Sequence, residues 1–324
     1  MDIYVKKAII HQFSPDDTDL YLADKFLNIT PKIEEYLRKK IERVYSDEAR
    51  TGIFEEDNPF LEMISDDLLE TSVAVANRWK EEFFVSENQK TNDLVFIQFS
   101  KEGVDHFAFL RIALRETLTH LGGEVDNPIK LTQNNLPGFG TGADEALVIN
   151  LQSRKYHLIE KRIKYNGTFL NYFSENLLQA QPKISPKKSI KALEKTAQKI
   201  AESFNTDDFQ FQSKVKSAIF NHIEEENKLS PEKLADDLFD DNLTARLSFI
   251  DQVKEAVPEP VTFEEIDASR QLKKFENQKL SLSNGIELIV PNNVYEDAES
   301  VEFILNDNGT YSILIKNIED IQSK

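Results

Sequence analysis

Basic side chains able to bind an anion are concentrated in one stretch of the chain, Leu151 to Ile200. Eleven lysines and arginines lie in this stretch against three glutamates, which gives a local net charge of +8. The whole chain carries −18, so the remainder carries −26. A basic segment in an otherwise acidic chain indicates a surface for a polyanion, and nucleic acid is the obvious candidate. The residues predicted to bind it are Arg154, Lys155, Lys161, Arg162, Lys164, Lys187, Lys188, Lys191, Lys195 and Lys199.

The second half of this stretch predicts how such a surface is built. Apolar residues recur at steps of three and four from Ile190 to Phe204, which is typical of one buried helix face. Four lysines at every fourth position fall opposite that face, and Lys188 joins them. Ser185 and Pro186 fit an N-cap followed by proline at the first helical position. A lysine row is also the usual solvated side of an amphipathic helix, so both interpretations stay open.

Residues capable of catalysis show no arrangement typical of an active site. The five histidines form neither an HxxxH nor an HxH pair, and no G-x-S-x-G nucleophile elbow occurs. The glycines from Gly138 to Gly142 lack the GxGxxG spacing and no Walker lysine follows, so we interpret this segment as a mobile loop. Glu226-Asn227-Lys228 has the E-x-K spacing of some nucleases, but it lies at a predicted helix end. The sequence therefore predicts a protein without catalysis and without a cofactor.

Neighbouring carboxylates could hold a hard cation such as Mg²⁺. Most of them stand at predicted helix starts or in loops, where helix capping explains them. We therefore predict no metal site. The acidic groups in question are Asp16-Asp17-Asp19, Asp207-Asp208, Asp236-Asp237 and Asp240-Asp241.

A helix-turn-helix is a second way in which this chain could contact DNA. The short predicted helix around Lys233 to Phe239 is followed by another from Asn242 to Val257. The latter offers Asn242, Arg246, Gln252 and Lys254 to base edges. Acidic residues surround it, and they oppose the approach of phosphate. A plain helical bundle is therefore the favoured interpretation.

Composition predicts a globular, cytoplasmic protein. With 324 residues, the chain can form two domains with cores of their own. Hydrophobic residues make up 40%, no apolar run approaches the roughly 20 residues of a membrane span, and the N-terminus lacks a signal-peptide layout. The absence of Cys excludes disulfides and thiolate metal sites. A pI near 4.8 excludes a wholly basic DNA coat.

The first half of the chain predicts a mixed domain around an antiparallel sheet. Its strands are expected at Ile3–Phe13, Leu94–Phe99, His106–Arg115, Ala146–Leu151 and Tyr156–Ile163. Helices are expected to start at Thr30-Pro31 and at Ser65-Asp66-Asp67, with the single Trp79 in the core. A long loop should run from Gly122 to Gly142. The segment Gly167–Leu178 predicts a helix that buries Phe169, Tyr172, Phe173 and Leu177.

The second half predicts helices and then hairpins, so the fold class is α+β. Helices are expected after Pro186, after Asp207-Asp208, after Ser230 and after Asn242. Turns at Ser283-Asn284-Gly285 and at Asn306–Gly309 predict two β-hairpins. The domain prediction is an α+β domain at 1–180, a helical region with a lysine-striped first helix at 181–260, and a β-rich part at 261–324.

Several short matches together resemble the NdpA-like proteins, the 37-kDa nucleoid-associated family of bacteria, and the chain itself has a mass of 37.3 kDa. The matches are AIIHQF at Ala8–Phe13, Asp144-Glu145-Ala146-Leu147 before a strand, Gly167-x5-Phe173, and the closing segment Ile313–Ile318. None of them is a catalytic signature. The resemblance implies a cytoplasmic protein of the nucleoid that binds DNA directly or through a partner.

Two functional hypotheses follow from these observations. In the first, the basic face binds double- or single-stranded DNA largely without sequence specificity, and the affinity falls with salt. In the second, the acidic surface binds another nucleoid protein, such as a DNA-topology enzyme, and the chain acts as an adaptor. Neither hypothesis involves a membrane. Both leave the oligomeric state open, a homo-oligomer included.

Overall fold

Two compact units, Met1–Ser185 and Pro186–Lys324, make up the chain in the computed structural model. The structure describes residues 2–15, 19–83, 90–120, 129–165, 167–204, 209–263 and 265–322. The predicted α+β fold class is confirmed. The division into parts 1–180, 181–260 and 261–324 stays a prediction.

The first unit combines one large sheet with three helices. Its helices are α1 (Pro31–Glu42), α2 (Pro59–Glu62) and α3 (Leu68–Phe83), and a π-helical turn spans Phe173–Leu177. Its strands are β1 (Ile3–Ser14), β2 (Asp19–Tyr21), β3 (Arg50–Ile53), β4 (Asn92–Lys101), β5 (Val104–Ala113), β6 (Arg115–His120), β7 (Ile129–Asn135), β8 (Glu145–Asn150), β9 (Lys155–Ile159), β10 (Ile163–Tyr165) and β11 (Thr168–Leu170).

The large sheet has seven antiparallel strands in the order β2-β1-β4-β5-β8-β9-β3. The predicted hairpin corresponds to β4 and β5, which pair from Asn92↔Ala113 to Lys101↔Val104. Alternate residues of β4 enter different cores: Leu94 and Phe96 pack with α3, whereas Val95 and Ile97 pack with α1. Burial on both faces explains why this strand is a continuous apolar run. Trp79 is fully buried, as predicted.

A buried ion pair joins two central strands. Arg111 on β5 donates through Nε to Oε2 of Glu145 on β8 at 2.6 Å, and through NH1 to Oδ1 of Asn92 at 2.8 Å. The hydroxyl of Tyr172 donates to the same Glu145 oxygen and accepts from Nε1 of Trp79 at 3.0 Å. Burial and the nearby Glu145 carboxylate raise the pKa of Tyr172 well above its usual value, so the hydroxyl keeps its proton. This network joins three strands, α3 and the segment before the π-helical turn.

His11 connects β1 to α3 through its neutral ring. Nδ1 accepts from the backbone N–H of Ala23 at 3.0 Å, so the proton is on Nε2, which lies 2.9 Å from the hydroxyl of Ser72. That hydroxyl donates onward to the carbonyl of Leu69 at 2.8 Å. Burial lowers the pKa of His11, which favours this uncharged state.

A buried lysine anchors the glycine-containing segment Gly138–Gly142. The ammonium group of Lys40 on α1 donates to the carbonyls of Pro137, Gly138 (2.9 Å) and Thr141. Burial, with the nearby charges of Arg43 and Arg115, lowers the pKa of Lys40 to about 8. The sequence predicts a mobile loop here, whereas the structure attaches it to α1. The lysine belongs to a distant helix, so no local pattern indicates this contact.

Two predictions for the first unit are wrong. Gly167–Leu178 is not one helix: Gly167, at φ +79°, turns the chain between β10 and β11, and the side chain of Phe169 is exposed. The predicted loop Gly122–Gly142 contains β7, which pairs with β6 in a two-stranded ribbon. Gly122 and Gly123 themselves lie outside the described residues.

The second unit is a helical core followed by hairpins. Its helices are α4 (Pro186–Ser203), α5 (Phe209–Glu226), α6 (Pro231–Leu238), α7 (Leu243–Lys254), α8 (Glu265–Phe275) and α9 (Asn292–Tyr295). Its strands are β12 (Lys228–Leu229), β13 (Val261–Thr262), β14 (Asn277–Ser281), β15 (Glu287–Pro291), β16 (Val301–Leu305) and β17 (Tyr311–Ile315). The two predicted hairpins are confirmed as β14–β15 and β16–β17.

The sequence predicts a β-rich part after residue 260 and does not predict helix α8. Its buried positions include Ala268 and the polar Gln271, while Leu272 and Phe275 are only partly buried. Helices α4 and α5, by contrast, share one core through Leu193, Ile200, Val215 and Ile219, as their spacing predicts.

We expect Glu145→Ala to lower the free energy of unfolding of the first unit by about 3–5 kcal/mol, because the guanidinium of Arg111 stays buried without its counter-charge. Urea unfolding followed by the fluorescence of Trp79, the single tryptophan, measures this unit selectively. The double change Arg111→Met with Glu145→Leu removes both charges and should cost less than the single change. Equal losses in the two variants would contradict a dominant role for the ion pair.

The stability of the first unit should also fall on mild acidification because of His11. Its pKa in the folded state is lowered from the usual 6.5. The unfolded chain therefore takes up a proton near pH 6.5 that the folded chain refuses, and stability present above that pH is lost as pH falls toward the lowered pKa.

The check compares urea midpoints of the parent and His11→Gln between pH 7.5 and 5, again by Trp79 fluorescence. The variant should show a flatter pH dependence, since glutamine does not titrate. His222→Gln in the second unit is the matched control and should leave the parent profile unchanged. Parallel profiles for parent and His11→Gln would show that His11 does not titrate in this way.

Candidate nucleic-acid interface

Helix α4 has the amphipathic form that its sequence predicts. It begins at Pro186, the expected first helical position. Ile190, Leu193, Ala197 and Ile200 are buried, which confirms the apolar face. The opposite side exposes five lysines, which we call the lysine row: Lys187, Lys188, Lys191, Lys195 and Lys199.

The start of α4 has a charge pattern opposite to the usual one. The first turn of a helix favours acidic residues, because the backbone N–H groups there carry partial positive charge. Helix α4 has no acidic residue in its first turn, and Lys187 and Lys188 stand there instead. The two ammonium groups add positive charge to an end that already carries partial positive charge, which makes this end attractive to an anion.

The other end of the lysine row lies beside α7. The ammonium group of Lys199 donates to Oε1 of Gln252 at 3.0 Å. Glu202, one turn beyond Lys199, is the exposed acidic residue of α4 and accepts from Gln198 at 3.2 Å. The row is therefore uninterrupted by exposed acid from Lys187 to Lys199.

Lys216 on α5 is a basic neighbour of the row that the sequence does not indicate. The half-buried Glu194 of α4 has its pKa raised by burial, and the positive charges of Lys216 and Lys191 oppose that rise. Glu194 and Lys216 also line one shallow groove between α4 and α5, together with Phe211 and Val215. Only the packing of α5 on α4 brings Lys216 to this place.

The ten predicted residues are divided between the two units, and the basic face that they are predicted to form stays a prediction. Five precede the boundary at Ser185 and five follow it. The domain prediction, with its boundary between residues 180 and 181, separates the same two groups. The five in the first unit are Arg154, Lys155, Lys161, Arg162 and Lys164.

Some of the basic side chains predicted to bind DNA in the first unit form salt bridges instead, and Arg154 also has a structural role through its backbone. Lys161 is 2.6 Å from Oδ1 of Asp144, and Arg154 is 3.7 Å from Oε2 of Glu56. Arg154 has φ +59° at the turn between β8 and β9, and its carbonyl accepts from Phe54 at 3.1 Å. Lys155 is half-buried. Arg162 and Lys164 are exposed.

Three carboxylates from the acidic groups of the second unit lie beside basic side chains. Asp236 is 2.9 Å from Arg246, Asp237 is 2.6 Å from Nε2 of His222, and Asp240 is 3.1 Å from Lys214. In the described ranges no group of three or more His, Asp or Glu residues is placed to bind a metal ion. Asp16, Asp17, Asp207 and Asp208 lie outside those ranges.

The side chains proposed for base reading on α7 have structural partners. Asn242 caps the helix, with Oδ1 accepting from the N–H of Ala245 at 3.0 Å. Arg246 pairs with Asp236, and Gln252 accepts from Lys199. These contacts favour the helical bundle over a recognition helix. The E-x-K segment is also engaged, since Glu226 pairs with Lys233.

Membrane insertion has no support in the helices. None of those within the described ranges combines the length and apolar character that crossing a bilayer requires.

Comparison with known proteins identifies a family for almost the whole chain. The family described as nucleoid-associated protein YejK, NA37, matches residues 9–321. No individually curated protein is significantly similar to the chain. The matched region covers β1 through the segment after β17, and so includes both units and the lysine row. The chain belongs to the NA37 family of nucleoid-associated proteins.

Proposed function

We propose that the protein binds DNA in the nucleoid through the lysine row of α4, largely without sequence specificity and without catalysis. The observation that carries this proposal is the set of five exposed lysines on one helix face of a chain with net charge −18. Either double- or single-stranded DNA presents the phosphates that such a row requires.

The spacing of the lysines suits a phosphate backbone. Four residues of helix advance about 6 Å, and successive phosphates of one strand are separated by distances of the same order. Each lysine carries its charge on a long flexible stem and contacts phosphate as a point charge. Such contacts position the protein on DNA and contain no information about base sequence.

The acidic remainder of the chain does not prevent this binding. At physiological ionic strength the screening length is about 8 Å, so exposed carboxylates farther away than this repel DNA only weakly. Close to the row, Glu194 is half-buried between Lys191 and Lys216. Exposed Arg162 and Lys164 of the first unit are further candidates for phosphate contact.

A second candidate function is that of an adaptor for a basic nucleoid protein. A groove in the second unit is lined by five carboxylates and two lysines, so its net charge is negative. Charge complementarity would chiefly raise the association rate with a basic partner. The carboxylates are Glu225, Glu226, Asp236, Asp237 and Glu296.

Charge reversal of the lysine row should remove DNA binding. We expect Lys188→Glu/Lys191→Glu/Lys195→Glu to reduce affinity at low salt by more than about 100-fold, because three attractions become repulsions. Fluorescence anisotropy of labelled double- and single-stranded DNA across a salt series measures the affinity. The parent log–log salt slope should include about −0.9 for each phosphate contact.

The matched control is Lys228→Glu/Lys273→Glu/Lys279→Glu, which makes the same charge change at exposed positions of the same unit. It should retain most of the parent affinity at physiological salt. A third variant, Arg162→Glu/Lys164→Glu, measures the share of the first unit. Equal loss in the row variant and the matched control would leave net charge as the cause and would refute a site on α4.

The adaptor function predicts protein partners that remain after DNA is removed. Glu225→Gln/Glu296→Gln neutralises part of the acidic groove and should lower the recovery of specific basic proteins from nuclease-treated bacterial lysate. Quantitative mass spectrometry of the captured proteins is the readout, and Glu276→Gln/Glu287→Gln is the control. An identical captured set for all three proteins would exclude the groove as the binding surface.

A further inference from the structure

The short hairpin β10–β11 has one face on the core of the first unit and the other toward solvent. Ile163 is buried in that core, and Leu170, its partner across the hairpin, packs against the same core. The next pair in register is Lys164 and Phe169, and both of these side chains are exposed. Side chains of a strand alternate between its faces, so the inner pair anchors the hairpin while the outer pair faces solvent.

Phe169 is the aromatic side chain of this outer face. Its spacing from Phe173 and Leu177 predicts burial, but the turn at Gly167 places it outside, where 62% of it is exposed. The Cβ atoms of directly opposed residues in a hairpin are about 5 Å apart, so the side chain of Lys164 begins next to the ring. The outer face therefore combines a flat apolar ring with a basic side chain.

The segment that forms this hairpin is basic. From Lys161 to Leu170 the chain has three basic residues and no acidic one. Lys161 is paired with Asp144, whereas Arg162 and Lys164 add two exposed positive charges. In a chain of net charge −18 this is a local reversal of sign beside an exposed aromatic ring.

The acidic residues that flank the segment, Glu160 and Glu175, are engaged in structural contacts. The side chain of Glu160 is only 4% exposed; it pairs with Arg50 and accepts from the N–H and the hydroxyl of Ser174 at 3.0 and 2.9 Å. Glu175 accepts from Nδ2 of Asn171 at 3.2 Å. The charge that the hairpin itself presents is therefore positive, and it suits an anionic ligand.

We propose that the outer face of β10–β11 binds single-stranded DNA, with an unpaired base stacked on Phe169 and with Arg162 and Lys164 on the flanking phosphates. Every base has a π-face, so an aromatic ring binds a single strand without selecting its sequence. The Cα atoms of Arg162 and Lys164 are at most about 7 Å apart, which suits neighbouring phosphates of an extended strand. This site adds to the proposed function and does not depend on the lysine row.

A single strand fits this face better than a duplex does. The bases of a duplex are paired and stacked on one another, so none of them offers its face to the ring of Phe169. Each nucleotide of a single strand has both an apolar face for the ring and a phosphate for the basic side chains. The lysine row contacts phosphates alone, so the two sites should differ in the form of DNA that they accept.

Tryptophan fluorescence of the full chain carrying Phe169→Trp tests the stacking directly. The same chain carries Lys188→Glu/Lys191→Glu/Lys195→Glu, so that binding by the lysine row does not contribute. Trp79 is fully buried and gives a constant background. An oligothymidylate of about 12 nucleotides should quench the added emission, whereas an abasic oligomer of the same length, with the same phosphates, should not.

The matched control for the fluorescence experiment is Phe26→Trp. Phe26 is also exposed, by 43%, on the first unit, and Lys7 lies 5.3 Å from the centre of its ring. It therefore has the aromatic ring and the neighbouring lysine but not the basic hairpin. Oligothymidylate should leave its emission unchanged.

Fluorescence anisotropy measures what the ring contributes to affinity. In the chain with the reversed lysine row, Phe169→Ala should raise the dissociation constant for labelled oligothymidylate at least about fivefold, and Phe26→Ala should not change it. In the chain with the intact row, the loss caused by Phe169→Ala should be larger for oligothymidylate than for a duplex of the same length.

Three results would overturn the proposal, whatever the lysine row does: no quenching in Phe169→Trp, equal quenching by the abasic oligomer, or an unchanged dissociation constant in Phe169→Ala. Tighter binding of oligouridylate than of oligothymidylate would assign the face to RNA and would overturn it as well. Failure of the lysine row has a different sign, which is unchanged duplex affinity in Lys188→Glu/Lys191→Glu/Lys195→Glu.

Discussion

The buried ion pair between Arg111 and Glu145 is the constraint on which the first unit depends. A guanidinium and a carboxylate in a dry core must be opposed and hydrogen-bonded, or the core does not form. The ion pair joins β5 to β8 in the register that sets Arg111 opposite Glu145. Glu145 also accepts a hydrogen bond from the protonated hydroxyl of Tyr172, which lies beside Trp79. These bonds position the chain before the π-helical turn. Asp144, the neighbour of Glu145, accepts from the N–H of Ala113 and pairs with Lys161. The segment Asp144-Glu145-Ala146-Leu147 thus has a structural role in the first unit.

Positive and negative side chains have different local surroundings in the second unit. Positive charge on α4 is exposed, aligned and nearly free of acid, whereas Asp236, Asp237 and Asp240 lie beside an arginine, a histidine and a lysine. Screening makes this local arrangement more important than the total charge. An acidic chain and a DNA-binding surface are therefore compatible.

Several elements show where sequence patterns become insufficient. The period of Ile190, Leu193, Ala197 and Ile200 predicts α4, because a helix packed on a core needs one apolar face. Phe169, Tyr172, Phe173 and Leu177 have equally good helical spacing, yet the left-handed conformation of Gly167 makes a hairpin of the first part. Helix α8 lies in a part for which the sequence predicts β-structure. Gly52 lies in β3 opposite Tyr156, and only a residue without Cβ fits beneath the Tyr156 ring.

The sequence by itself determined the α+β class, the central antiparallel hairpin, the amphipathic α4 and the exposure of its lysines, because each depends on residues close together in the chain. Tertiary structure alone decided that Lys40 anchors the Gly138–Gly142 segment and that Lys216 joins the lysine row. These outcomes depend on packing between elements far apart in sequence, and no local pattern contains that information.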